Sequence, residues 1–291
     1  MENRSEHAIE VRNLRFPLDA SIPRYWLGGN RAMSLFLDHL SIVFPPGERF
    51  FMQSVRAYEA EVKDPALKED MRAFHAQEAL HGREHASYNA LLRGRGYPVD
   101  AIDRSAKRVL GVAEAVLPKS WQLAVTAALE HFTAMLAQFL LATHSVLRGA
   151  PPEMAAMWRW HAAEENEHSA VAFDVYRSIG GRYLPRVLVM LGTTLFFWLK
   201  MVEHQVRMMY ADGCLFSGKE WAAIARFAFK EPGVFPLLWR AYFAYFKPSF
   251  HPHQLDCSEL LAGWKDEFDQ SPVYQRNLFV PGATRRAAPA S

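Results

Sequence analysis

Two Glu-x-x-His pairs stand out in the 291-residue chain. The first is Glu78-Ala-Leu-His81, with His85 one turn further on. The second is Glu165-Asn-Glu-His168, with His161 one turn before it. At 100° per helical residue, each triplet falls within about 60° of arc, so its three side chains share one helix face. A lone glutamate precedes each pair on the previous helical segment: Glu48 lies 30 residues before Glu78, and Glu130 lies 35 before Glu165. Iron and manganese favour carboxylate oxygen and imidazole nitrogen, and zinc accepts the same ligand types. A glutamate can bridge two ions while the histidine one turn away holds one of them. The set Glu48, Glu78, His81, Glu130, His161, Glu165 and His168 therefore reads as a site for two metal ions, iron foremost, inside a helical bundle.

Each residue also has a plainer reading. Glu48 could serve only a helix N-terminus through the dipole. His161 is a ligand or an orienting group. His85 is an orienting or core histidine, or an alternative ligand. Glu164 shares a face with His161 and His168 and competes with Glu165, but the repeated spacing favours Glu165. Glu164, His85 and Asp174 are candidates for orienting ligands or moving protons. Glu130 is the only acid between Lys119 and Arg148, among Trp, Leu, Val, Phe and Met. An isolated carboxylate there costs free energy unless it is paired or bound to a metal.

The elements that must position these residues are helical, and little or no sheet is expected because no stretch alternates with period two. The pattern predicts helices over 30–44, ending at Pro45-Pro46-Gly47, and from there to about Lys63. Others follow over 66–93, 101–114, 119–148, 153–179 and 183–210. Glu48 and Glu78 lie 16 residues before and 14 after the break at Asp64, near one level of a hairpin. Glu130 and Glu165 fit less well, out of level by roughly 9 Å at helical rise. The fold class expected is all-α, a ferritin-like four-helix bundle with additional C-terminal helices. Residues 1–29 form an arm, 30–210 the bundle, 211–281 an aromatic-rich helical extension, and 282–291 a tail whose composition predicts disorder.

Half of the residues are hydrophobic, enough for a sizeable core, and the net charge is +2. No Lys/Arg stripe points to nucleic acid. Cys214 and Cys257 form no Cys-x-x-Cys, which suits a reducing compartment. The N-terminus lacks the apolar core of a secretory signal, so a cytoplasmic location is expected. Val187–Leu199 is an uncharged run of 13 residues, short of the roughly 20 that a spanning helix needs. It reads as a buried or interfacial helix, with peripheral membrane contact open through its aromatic end. A homodimer is a further possibility.

The stretches Phe44-Pro-Pro-Gly-Glu-Arg-Phe-Phe51, Gln77-Glu-Ala-Leu-His-Gly-Arg-Glu-His85, Leu129-Glu-His131 and Trp160-His-Ala-Ala-Glu-Glu-Asn-Glu-His168, then Val171-Ala-Phe-Asp174, resemble a bacterial family of predicted metal-dependent hydrolases. The bundle pattern is similar to ferritin-like di-iron carboxylate proteins. His161-x-x-x-Glu165-x-x-His168 is similar to the motif of di-iron N-oxygenases acting on arylamines. The first expectation is an O2-dependent di-iron oxidase or oxygenase acting on an apolar or aromatic small molecule, with a separate electron donor. The alternative is hydrolysis by a metal-activated water. A non-enzymatic iron-binding protein is the third reading.

Overall fold

The computed structural model describes residues 9–279, so the expected tail at 282–291 and the first residues of the arm lie outside it. The chain is all-α. Its helices are α1 (Arg31–Arg56), α2 (Pro65–Gly94), α3 (Val99–Val116), α4 (Lys119–Ala142), α5 (Pro152–Glu167), α6 (Val171–Ser178), α7 (Tyr183–Ala211), α8 (Gly218–Phe229), α9 (Val234–Ala244), α10 (Ser258–Gln270) and α11 (Pro272–Asn277). Among the described residues, the isolated bridge Leu14–Leu278 is the only β pairing.

Helices α1, α2, α4 and the α5–α6 pair pack side by side around one interior. Local chemistry starts the first two. Asn30 caps α1 by accepting from the Met33 amide, and Asp64 caps α2 by accepting from Ala66, with Pro65 in the first turn. Helix α3 crosses over α1, α7 lies against α4 and α1, and α8 and α9 rest on α1 and α4 respectively. Helices α10 and α11 cover α5, where Tyr274 donates to the Ala156 carbonyl. The arm over residues 9–30 runs back across α2 and α5.

Three boundaries differ from the sequence expectation. Pro45 and Pro46 do not end α1; they sit inside a continuous 26-residue helix. A proline withholds the hydrogen bond due to the carbonyl four residues earlier, here that of Ser41 for Pro45. The Asn89 side-chain amide on α2 donates to that carbonyl at 3.0 Å, so the helix continues with the loss made good from outside. Helix α4 ends at Ala142 rather than Arg148, which removes the expected mismatch: Glu130 lies 12 residues before that end and Glu165 13 after Pro152. The helix expected over 153–179 breaks at His168–Ala170, where His168 takes the C-cap conformation of α5.

Replacing Asn89 by alanine should strand the Ser41 carbonyl in the core. A destabilisation of about 1–3 kcal/mol is expected, to be read as a lower denaturation midpoint with an unchanged slope.

Candidate metal centre

The four packed helices deliver all seven expected ligand side chains to one place. Glu48 comes from α1, Glu78 and His81 from α2, Glu130 from α4, and His161 and Glu165 from α5, with His168 at the end of α5. All are buried. Donor atoms of Glu48, His81 and His161 lie within 4.8 Å of one another, and so do those of Glu78, Glu130 and His168. A third set, Glu78, His81 and Glu165, links the two. Glu165 Oε1 is 3.0 Å from His161 Nε2, and 3.6 Å from both His81 Nδ1 and His168 Nε2. Glu78 belongs to two of the three sets, and Glu165 Oε1 lies near all three histidines. Glu48 sits opposite Gly82, one turn beyond its expected level with Glu78. A β-carbon at Gly82 would come within 2.7 Å of Glu48 Oε2, so glycine makes the space for that carboxylate.

The donor set fits a pair of cations. Both carboxylate oxygens of Glu48, Glu78 and Glu130, Oε2 of Glu165, Nδ1 of His81 and Nε2 of His168 are buried without a hydrogen-bond partner. Burying such groups without compensation is costly, and metal coordination is one of the few remedies. Burial raises the carboxyl pKa values of Glu78 and Glu130 well above the usual range; the charges of neighbouring acids push the same way, while contact with Glu78 opposes it at Glu130. Burial raises that of Glu48 too, with His81 opposing and Glu165 assisting. Burial also pushes Glu165 upward, but His168, His161 and His81 outweigh it and hold this carboxyl well below the usual range. His81 is opposed by burial yet raised to about 10 by Glu164 and Glu165. His161 is lowered to about 4, chiefly by burial.

Each histidine is oriented from behind. Gln77 donates its amide to Glu167 and to the Glu10 carbonyl, so its oxygen accepts from His168 Nδ1 at 2.9 Å and Nε2 faces inward. His81 Nε2 donates to Glu164 at 3.0 Å, which turns Nδ1 inward. The His161 tautomer follows from a longer chain. Because Asn89 donates to the Ser41 carbonyl, its oxygen accepts the Ser41 hydroxyl. Ser41 Oγ then accepts from His85 Nδ1, and His85 Nε2 accepts from His161 Nδ1 at 2.6 Å. In the neutral ring this leaves the His161 Nε2 lone pair 3.0 Å from Glu165 Oε1, two acceptors that only a proton or a cation between them reconciles.

Both ring nitrogens of His85 are thus taken, by Ser41 and by His161. Glu164 is turned toward His81 and Arg12, and Glu165 occupies the cluster. Asp174 corrects the sequence reading: α6 directs it to His251 Nε2 at 2.9 Å, and it joins none of the clusters. Gln77, Gly82, Ser41, Asn89 and Arg12 were not singled out by sequence. Gln77 and Gly82 flank ligands directly, so the face of α2 could have exposed them. Arg12 pairs with Glu164 and Glu167 from more than 150 residues away, and nothing local signals that.

A cavity of about 730 Å³ reaches the cluster at His161 and Glu165. Its wall is overwhelmingly apolar and comes mainly from α1, α3, α4 and α7. The aromatic C-terminal part contributes only Phe227 and Val234. Phe44 lies over the rings of both His85 and His161 at the cavity end.

Two outcomes are expected. Gly82→Ala should displace the Glu48 carboxylate and weaken metal binding about 10–100-fold, the range seen when a ligand's support is lost, as measured by competition with a chelating dye. Metal uptake should release protons, because carboxyls with raised pKa and a protonated His81 must give them up. Protons compete at these groups, so affinity should rise with pH. Calorimetry in buffers of different ionisation enthalpy checks this.

Searches among curated proteins and among solved structures found no match. A family model described as predicted metal-dependent hydrolase matches residues 10–256, covering every residue of the cluster. The chain therefore belongs to the family of predicted metal-dependent hydrolases.

Proposed function

We propose that Glu48, Glu78, His81, Glu130, His161, Glu165 and His168 hold two divalent metal ions, and that the protein hydrolyses an apolar ester or amide bound in the adjoining cavity. The observation that carries this is the set of buried, unpartnered donor atoms at the end of an apolar cavity. Membership of a family described as metal-dependent hydrolases supports hydrolysis over the oxidation that the ligand types alone suggested. When bound, a metal pair polarises a carbonyl oxygen and lowers the pKa of water. The chain supplies the rest. Glu164, Gln77 and His85 keep the three imidazole lone pairs pointed inward. The cavity wall binds the apolar part of the substrate and excludes bulk water, which strengthens the electrostatics of the centre. Neutral His85, its pKa lowered by burial and by His161, keeps positive charge away from the cations.

One observation favours a second reading, O2-dependent oxidation with iron and an external electron donor. Glu165 is the only acid in the cavity wall and is itself a candidate ligand, so no separate carboxylate stands ready to protonate a leaving group.

The test loads the purified protein with zinc, manganese or anaerobic iron(II) and assays nitrophenyl esters of increasing chain length. Ester hydrolysis that increases with chain length and disappears on chelation is expected. Glu78→Ala and Glu165→Ala should lose metal and lower the rate by about 100-fold or more, beyond the effect of losing a supporting group. Unchanged metal content in both variants would remove the ligand assignment. Oxygen uptake by the iron form without ester cleavage would establish the second reading instead.

A further inference from the structure

Helix α7 presents an unusual surface. Leu184, Leu188, Leu191, Leu195, Leu199 and Val202 fall within about 80° of arc at 100° per residue, and each is 49–62% exposed. The opposite face is seated on the bundle through Val189, Met190, Met201 and Met208. Both α4 and α7 are long and apolar enough to cross a membrane, but 72% of the apolar stretch of α4 is buried, against 22% for α7. Helix α9 continues the exposed face. Thr194 meets the Tyr242 hydroxyl at 3.0 Å and Trp198 meets the Phe235 ring, which brings exposed Phe235, Trp239 and Phe243 alongside the leucine stripe.

Two further observations say what covers this face. Leu188 and Phe196, both exposed, also line the cavity, and so do exposed Val112 and Val116 of α3. The cavity that reaches the candidate metal centre therefore adjoins the apolar surface. The charge is also one-sided. Residues 182–247 hold nine Lys/Arg (182, 186, 200, 207, 219, 226, 230, 240, 247) and four Asp/Glu (203, 212, 220, 231), a net +5 in a chain of net +2. Arg226, Lys230 and Arg240 are exposed beside Phe229 and Trp239. A helix with one apolar face, aromatic neighbours and flanking cations suits the headgroup–acyl boundary of an anionic bilayer.

We infer that the α7–α9 face docks on an anionic lipid bilayer and that the cavity draws its apolar substrate from the membrane. The docking stands on this surface alone. The substrate route rests on the cavity being the substrate site proposed above.

Flotation of the full chain with phosphatidylcholine vesicles, with and without phosphatidylglycerol, tests it. Binding at low salt is expected, stronger to the anionic vesicles. Leu191→Glu/Leu195→Glu lies outside the cavity wall and should reduce binding tenfold or more, with metal content and helical circular dichroism unchanged. Arg226→Glu/Lys230→Glu should weaken anionic binding by about 30-fold or more, at roughly 1 kcal/mol per basic residue, and leave binding to neutral vesicles unaltered. Absence of flotation, or binding indifferent to lipid charge or to both variants, would overturn the inference. A soluble dimer that Leu191→Glu/Leu195→Glu converts to monomer, without vesicle binding, would assign the face to a second copy. Vesicle binding needs no catalysis, so its outcome is separate from that of the ester assay.

Discussion

Four carboxylates and three imidazoles can share a dry helical interior only if protons or counter-charge neutralise them. Every one of the ligand-bearing helices is compatible with that interior only if the polar tips meet one another and something positive. The arrangement makes them meet in one cluster, and the groups behind them fix which atom points inward. Helix ends, the Gly82 gap and the back-side hydrogen bonds all answer the same electrostatic demand.

The double proline in α1 belongs to this system. Its missing donor commits the Asn89 amide to the Ser41 carbonyl, and that choice propagates through Ser41 and His85 to the lone pair of His161. A residue pair that reads as a helix terminator thus sets the orientation of a candidate ligand on another helix. Replacing Pro45 by alanine would restore the backbone bond and raise helix propensity. It would also set a backbone amide in competition with Asn89 for that carbonyl, so local stability and the order of the site would be set against each other.

The helix-period pattern and the two Glu-x-x-His pairs made the all-α class and the candidate ligands legible, because both depend on spacing within one helix. Glu130 was legible through its isolation among apolar residues. What stayed hidden was relational. The α4 end at Ala142 and the continuity of α1 through Pro45 depend on partners in other elements. Asp174 looked eligible by position, but the break at His168–Ala170 starts a separate helix that directs it to His251. Much of the cavity wall comes from α3 and α7, whose apolar residues carry no motif.

The arm has a consequence for biosynthesis. Arg12 is buried against Glu164 and Glu167, 152 and 155 residues later in the chain. At roughly 5–20 residues per second, about eight to thirty seconds separate the synthesis of this cation from that of its partners. Glu48 and Glu78 are also made well before His161, Glu165 and His168. The first helical hairpin therefore cannot close its polar interior as it leaves the ribosome. It must wait, hydrated, until the second half of the cluster exists, so the full donor set comes together only late in the synthesis of each chain.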